Sequence, residues 1–204
     1  MMIGNIVEKI MTIGNWLAKL VYLQILWIVF TILGLVAFGI MPATTAMFYV
    51  IRKWIEKDPN IPIFDTFYKS YRADFLKSNG LGIALIGIGI FLYYDYTISK
   101  LEIGIPVLHF LIMVISFFYF IFLLYFFPVF ARYNMKPFEQ FRKSFYLSIS
   151  RPLETFAMII SFVPLYFFFN LFPFFFVVAG APLIAFPSMW FANRAFMQIE
   201  GRNS

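Results

Sequence analysis

Six stretches of this chain are apolar enough to sit in lipid, and short polar segments that carry nearly all of its charge separate them. The longest uncharged run, Leu20 to Ile51, is 32 residues. As one helix it would be about 48 Å long at 1.5 Å per residue, too long for a single straight crossing of a hydrocarbon layer about 30 Å thick. Gly34, Gly39 and Pro42 punctuate it. Gly39-Ile40-Met41-Pro42 reads as a turn with Pro42 in the first turn of the next helix, where Thr44 and Thr45 can hydrogen-bond local backbone. The pattern predicts a helix over about residues 14–37 and a shorter one over about 43–56. Trp16 and Lys19 flank the start of this pair, and Arg52, Lys53 and Trp54 flank its end, as a hairpin with both ends at one interface requires. The alternative is one kinked span with the N-terminus outside, giving five crossings in place of six.

Ahead of this run, Ile3, Ile6, Val7, Ile10, Ile13 and Leu17 have helical spacing and read as a surface helix or an extension of the first span. After it, residues 60–78 mix Phe64, Phe67, Tyr68, Tyr71 and Phe75 with Asp65, Lys69, Arg72, Asp74 and Lys77. Phe64, Phe67, Tyr71 and Phe75 share a helical face, so the segment reads as an amphipathic interfacial helix. A third span runs from Gly80 to about Thr97, with Gly80, Gly82, Gly87 and Gly89 permitting close approach of another helix. A short connection, Ile98 to Gly104, leads to a fourth span from about Ile105 to Phe130. A second aromatic-basic segment, Arg132 to Arg151, precedes spans at about 153–171 and 174–196, separated by the tight turn Asn170-Leu171-Phe172-Pro173. Phe64-x-x-Phe67-x-Lys69-Ser70-Tyr71 aligns with Phe138-x-x-Phe141-x-Lys143-Ser144-Phe145, a short internal repeat. Met47-Phe48-Tyr49 before Arg52 likewise resembles Met189-Trp190-Phe191 before Arg194.

The expected architecture is all-α: one transmembrane domain over residues 1–204, built as three hairpins of six helices with amphipathic cytosolic linker helices. Charge distribution tests it. Six basic residues lie in Arg52–Lys77, five in Arg132–Glu154, two in the first 19 residues and two in the last 11, whereas the connection between the third and fourth spans holds only Lys100. All four basic segments share one side if both termini are inside, which orients the chain by the positive-inside rule. The composition agrees. The chain is 62% hydrophobic, 23% aromatic and 13% charged, against about 25% charged in soluble domains, and 30 Phe residues exceed what a soluble core of this size needs. The net charge of +6 is read as attraction to anionic headgroups and not as nucleic-acid binding, because the basic residues adjoin apolar spans. With no cysteine, disulfides, thiolate metal sites and cysteine nucleophiles are excluded. The N-terminus lacks the plan of a signal peptide, and the whole chain is expected to be retained.

Two stretches resemble the YesL-like family of bacterial multi-pass membrane proteins, a group without an established biochemical activity. One is Gly39-x-x-Pro42-Ala43-Thr44-Thr45-Ala46-x-x-Tyr49 followed by Arg52-Lys53. The other is Phe67-Tyr68-Lys69-Ser70-Tyr71-Arg72-Ala73-Asp74-Phe75, in which the family usually has Phe and Asn where this chain has Tyr71 and Asp74. The similarity covers nearly the whole chain in length and order. The resemblance implies, by association, a link to carbohydrate uptake in Gram-positive bacteria.

Candidate chemistry is sparse. Asp95 and His109, the only histidine, stand near the outer ends of adjacent spans and form a candidate polar pair, with an interfacial hydrogen bond as the simpler reading. Gly39, Pro42, Thr44 and Thr45 form either a ligand-binding helix break or, the preferred reading, an ordinary hairpin turn. Phe64, Phe67, Lys69, Tyr71, Arg72, Phe75, Phe138, Phe141 and Lys143 form a face that rests on lipid or docks a partner, such as membrane subunits of a sugar transporter. Glu154, in the first turn of a helix, is favoured there by the helix dipole. No metal or cofactor site is expected, since no His/Glu cluster supplies three ligands. The expectation is a non-enzymatic accessory or scaffold protein associated with sugar uptake. The alternative, a small transporter or channel, has only Gln24, Thr31 and Ser161 as a mid-membrane lining. An enzyme is least expected with one His, no Cys and no paired intramembrane carboxylates.

Overall fold

The computed structural model describes residues 2–56, 58, 60–103 and 105–201, with the side chains of residues 2–7, Glu102 and Ile103 excepted. Its elements, all helical, are α1 (Met2–Leu33), α2 (Ile40–Ile55), α3 (Ile63–Ile98, extended by a π-helical turn Ser99–Ile103), α4 (Pro106–Arg132), α5 (Pro137–Ser150), α6 (Pro152–Leu171) and α7 (Pro173–Glu200). Four helices begin on proline, whose fixed φ suits the first helical position and whose missing N–H has no partner to lose there. Five segments are long and apolar enough to cross a membrane: Glu8–Leu33, Ile63–Leu101, Pro106–Arg132, Pro152–Leu171 and Pro173–Glu200. The apolar spacing expected at Ile3, Ile6 and Val7 falls on side chains outside the described set.

α2 is shorter than those five. Its 16 residues rise about 24 Å. It is nonetheless the hub of the bundle, packed against α1, α3, α4 and α7. Pro42, Ala43, Thr45, Ala46, Met47, Phe48, Val50, Ile51 and Trp54 are all buried. Lipid tails are as apolar as Leu, so helices in a membrane associate through close packing and not through escape from water. Small residues at Ala43 and Ala46 allow that approach, and Phe48 stacks on Phe127 with ring centroids 5.5 Å apart. The outward faces stay apolar: Phe91, Phe110, Phe117, Phe156, Phe167 and Phe174 are all more than half exposed on the bare chain, as a lipid solvent demands.

The α1–α2 turn lies earlier than the sequence suggests, at residues 34–39, and α2 starts at Ile40. α1 stops because Leu35 and Val36 take φ of 57° and 62°. The Val36 N–H donates to the Thr31 carbonyl and the Leu35 N–H to the Ile32 carbonyl, both at 2.9 Å, the paired bonds of a Schellman ending. A left-handed residue other than glycine costs about 1–2 kcal/mol. Gly34 and Gly39 offset this by letting the two helices touch: a β-carbon on Gly39 would collide with the Thr31 carbonyl, and one on Gly34 with the Gly39 backbone. Trp16 then meets Trp54 edge-on at 5.7 Å.

The largest correction concerns residues 60–78. The separate amphipathic helix does not exist. That segment and the third span form one 36-residue helix, α3. No proline interrupts it, and at the join Ser78 and Asn79 donate back to the Phe75 carbonyl, at 3.3 and 2.9 Å, without breaking the backbone ladder. Its aromatic face turns inward. Phe67 is fully buried, and the Phe30 ring sits 4.9 to 6.4 Å from those of Phe64, Phe67, Tyr68 and Tyr71. The second aromatic-basic segment does form its own helix, α5.

A side chain holds α7 where its sequence would weaken it. The Gln24 amide donates to the Val177 carbonyl at 3.2 Å and accepts from the Ala181 N–H at 3.1 Å. Those two backbone groups are i and i+4 partners, and Gly180 and Pro182 lie beside them. An amide placed between such partners satisfies the groups a proline-disturbed helix leaves open.

Candidate functional site

The polar residues converge at one end of the bundle, where α2, α4 and α7 finish and α5 begins. Arg52 reaches from α2 to the end of α4, and one guanidinium nitrogen donates to the carbonyls of Ala131 and Arg132 at 2.9 and 3.1 Å. The last carbonyls of a helix have no intrahelical donor and form the negative end of its dipole, so a cation there satisfies both needs. Tyr49 lies under the Arg52 guanidinium at 4.7 Å.

Arg132 is the centre of the knot. It donates to Asn193 at 2.6 Å, to Glu56 at 3.2 Å, and in fork geometry to both oxygens of Glu200 at 3.3 and 2.7 Å. Phe196 covers it at 5.2 Å. The Tyr133 hydroxyl donates to Glu200. Burial, then that hydrogen bond to the carboxylate, push the Tyr133 phenol up to about 12. Lys143 of α5 lies 3.1 Å above the Tyr133 ring, and burial lowers its pKa. Arg151 donates to Gln198 at 2.8 Å. Charge-assisted bonds thereby tie α2, α4 and α7, and the Lys143–Tyr133 contact and the Arg151–Gln198 bond bring α5 and its end to them. Glu200 is 47% exposed, so water screens its share, and the Arg132 cluster contributes on the order of 2 kcal/mol.

Beside the knot opens a cleft of about 610 Å³ between α2, α3 and the end of α4. Arg52, Lys53, Lys69, Lys77 and Arg132 line it, with Asp74 and the hydroxyls of Thr66 and Ser70. A second, apolar groove of about 770 Å³ lies between α3, α4 and α5, walled by Phe91, Phe118, Phe122, Phe138, Phe141 and Phe145.

The residues singled out from the sequence scatter across these features. Lys69 and Arg72 are both exposed, and of the two only Lys69 lines the cleft. Phe64, Phe67 and Tyr71 pack on α1, and Phe75 packs on Tyr71 at 5.6 Å. Phe141 stacks on Phe122 at 5.7 Å, Phe138 is 79% exposed, and Lys143 belongs to the knot. His109 does not meet Asp95: its Nδ1 pairs with Ser99 Oγ at 2.9 Å, and Tyr96 packs on its ring at 4.9 Å. Thr44 donates to the Ile40 carbonyl at 2.6 Å and accepts from the Trp27 indole at 3.1 Å, while Thr45 donates to the Pro42 carbonyl at 2.9 Å. The Gly39–Thr45 motif is thus the N-cap and first turns of α2, just after the α1–α2 turn, with both threonine hydroxyls satisfied. Among the described residues no three His, Asp or Glu side chains gather in metal-binding geometry.

Sequence reading missed the knot and the Gln24 clamp. The signal for the first was the scarcity of acid: Glu56 and Glu200 each follow an apolar helix on the basic side, where a lone carboxylate among many cations finds a partner. No local pattern announces Gln24, whose partners are more than 150 positions away.

The fold and this polar end define a helical membrane-type bundle with a network of charged groups at one pole. The chain belongs to the YesL-like family. The model of a family described as "Protein of unknown function, DUF624" matches residues 20–96. The chain is 35% identical to Uncharacterized protein YesL of Bacillus subtilis (strain 168) over 158 residues, covering 78% of this chain and 75% of the relative. It is 33% identical to Uncharacterized protein YteU of the same organism over 187 residues (91% and 84%) and 33% identical to Uncharacterized protein YesV over 192 residues (91% and 90%). No solved structure matches it.

Proposed function

We propose that this protein is a non-enzymatic accessory or scaffold component of the bacterial cell membrane, serving a carbohydrate uptake system, with its basic pole and both termini at the cytosol. One observation carries the accessory reading: of the three polar side chains in the apolar zone, Gln24 and Ser161 are engaged by helix backbone, and Thr31, whose hydroxyl has no partner among the described residues, is buried against protein. Gln24 clamps α7, and Ser161 donates to the Met158 carbonyl of its own helix at 2.6 Å. A path for a sugar or an ion needs such groups facing a shared aqueous cavity.

The orientation is supported by the positive-inside rule, since fifteen of the sixteen Lys and Arg residues belong to the four basic segments. Six crossings, with α2 as the short one, are supported by the return of Trp54 to Trp16. The carbohydrate setting rests on the family resemblance. α5, which presents Phe138 and Phe145 outward, is the surface offered to transporter subunits or to anionic headgroups. Affinity purification from a native-type host in mild detergent is expected to recover membrane subunits of a sugar transporter. Sugar uptake by proteoliposomes containing this protein alone would overturn the accessory reading in favour of a small transporter.

A further inference from the structure

The cleft beside the knot holds more positive charge than its own carboxylates neutralise. Arg132 is matched by Glu56 and Glu200. Arg52 caps α4 and stands 3.6 Å from Glu56. That leaves Lys53, Lys69 and Lys77 facing one acid, Asp74. Lys77 acts on the Asp74 charge without a direct ion pair, donates to the neutral Asn134 at 3.4 Å and covers the face of Phe130. Lys53 and Lys69 form no hydrogen bond or ion pair among the described residues, and neither does the Ser70 hydroxyl, although Ser70 is only 8% exposed. These groups belong to two helices and converge on a concavity of about 610 Å³, within the range of small-molecule sites.

Cations approaching from two sides, with hydroxyl donors between them, suit an anion that carries several oxygens and more than one charge. A single carboxylate would engage only some of them. Phe130 and Tyr49 add an apolar part to the lining beside the charge. We infer that this cleft binds a phosphate ester, presented either by an anionic lipid headgroup or by a water-soluble phosphate compound. The inference is independent of the accessory reading, because a cleft of this chemistry would serve a scaffold and a transporter alike.

The test uses the full chain purified in a nonionic detergent and titrated calorimetrically with two probes, inorganic pyrophosphate and dioctanoyl phosphatidic acid. Saturable binding at one site per chain, weakened by added salt, is expected for at least one probe. Binding of pyrophosphate alone assigns a soluble ligand, and binding of the lipid alone assigns a headgroup. Lys53→Gln combined with Lys69→Gln is expected to lower affinity about tenfold or more. Asp74→Asn, which removes the opposing charge, is expected to raise it about threefold. Lys100→Gln, far from the cleft, should leave it unchanged. Thermal unfolding of each variant verifies folding, and the gain in Asp74→Asn remains decisive should the double variant be unstable. Lack of saturable binding of both probes would overturn the inference. So would affinity that is indifferent to the Lys53/Lys69 pair, or that falls equally with Lys100→Gln.

Discussion

The two copies of the aromatic-basic motif have taken different structures. Laid over each other from Phe64 and Phe138, they bring Lys77 against Arg151 and Ser78 against Pro152. The first copy continues without interruption into its span as α3 (Ile63–Ile98), and the second is cut into α5 (Pro137–Ser150) and α6 (Pro152–Leu171). The cut is local chemistry. A proline disfavours helical backbone in the residue before it, and Arg151 duly sits at φ −130°, ψ 67°. Ser78 imposes no such restriction. Burial differs too. Phe67 is sealed against Phe30 while its counterpart Phe141 is only partly buried, yet Ser70 and Ser144 are buried in both. A repeated motif therefore fixes which face turns inward, and one residue after it decides whether the helix bends away.

Ser78→Pro should give the largest effect. It imposes the second copy's break on the first, and a proline inside a helix costs about 3 kcal/mol or more. Unfolding in mixed SDS micelles followed by circular dichroism measures it, and an unchanged midpoint would mean that α3 is not continuous. Phe67→Ala comes next, at about 3 kcal/mol for an emptied aromatic site, whereas Phe138→Ala should stay within about 0.5 kcal/mol. Equal losses at the two positions would erase the contrast in burial. Arg132→Met removes the anchor that fastens the neighbourhood of the second copy to α2 and α7, and should cost about 2 kcal/mol by the same measurement. Pro152→Ala should cost less than about 1 kcal/mol, because the direction of α5 is also held by Lys143 on Tyr133 and by Phe141 on Phe122 and Phe126.

Much of this fold was legible because lipid imposes long apolar runs. Five long apolar helices, the tight turn at Phe172 and the clustering of basic segments follow from hydropathy and punctuation, whereas the α1–α2 turn lies at residues 34–39, ahead of the Gly39–Pro42 punctuation. What escaped depends on long-range partners. The aromatic stripe Phe64–Phe67–Tyr71 has the periodicity of an interfacial helix whether lipid or α1 covers it, and only the position of Phe30 decides. Asp95 and His109 looked paired because both stood near the ends of neighbouring spans. The π-helical turn at residues 99–103 instead sets Ser99 against the imidazole. The site was less legible than the fold: the polar pole joins residues from α2, α3, α4, α5 and α7, and its organiser, Arg132, looked like one more basic loop residue.

Accessibility of two single cysteines bears most directly on the central claim, that lipid surrounds these helices and that their basic pole lies on the inner side. The chain contains no cysteine, so Lys100→Cys in the α3–α4 connection and Lys136→Cys ahead of α5 are clean reporters, both exposed. With an impermeant maleimide added to intact cells, position 100 should label at once and position 136 only after the membrane is opened. Labelling of both from outside, or of position 136 alone, would contradict the account.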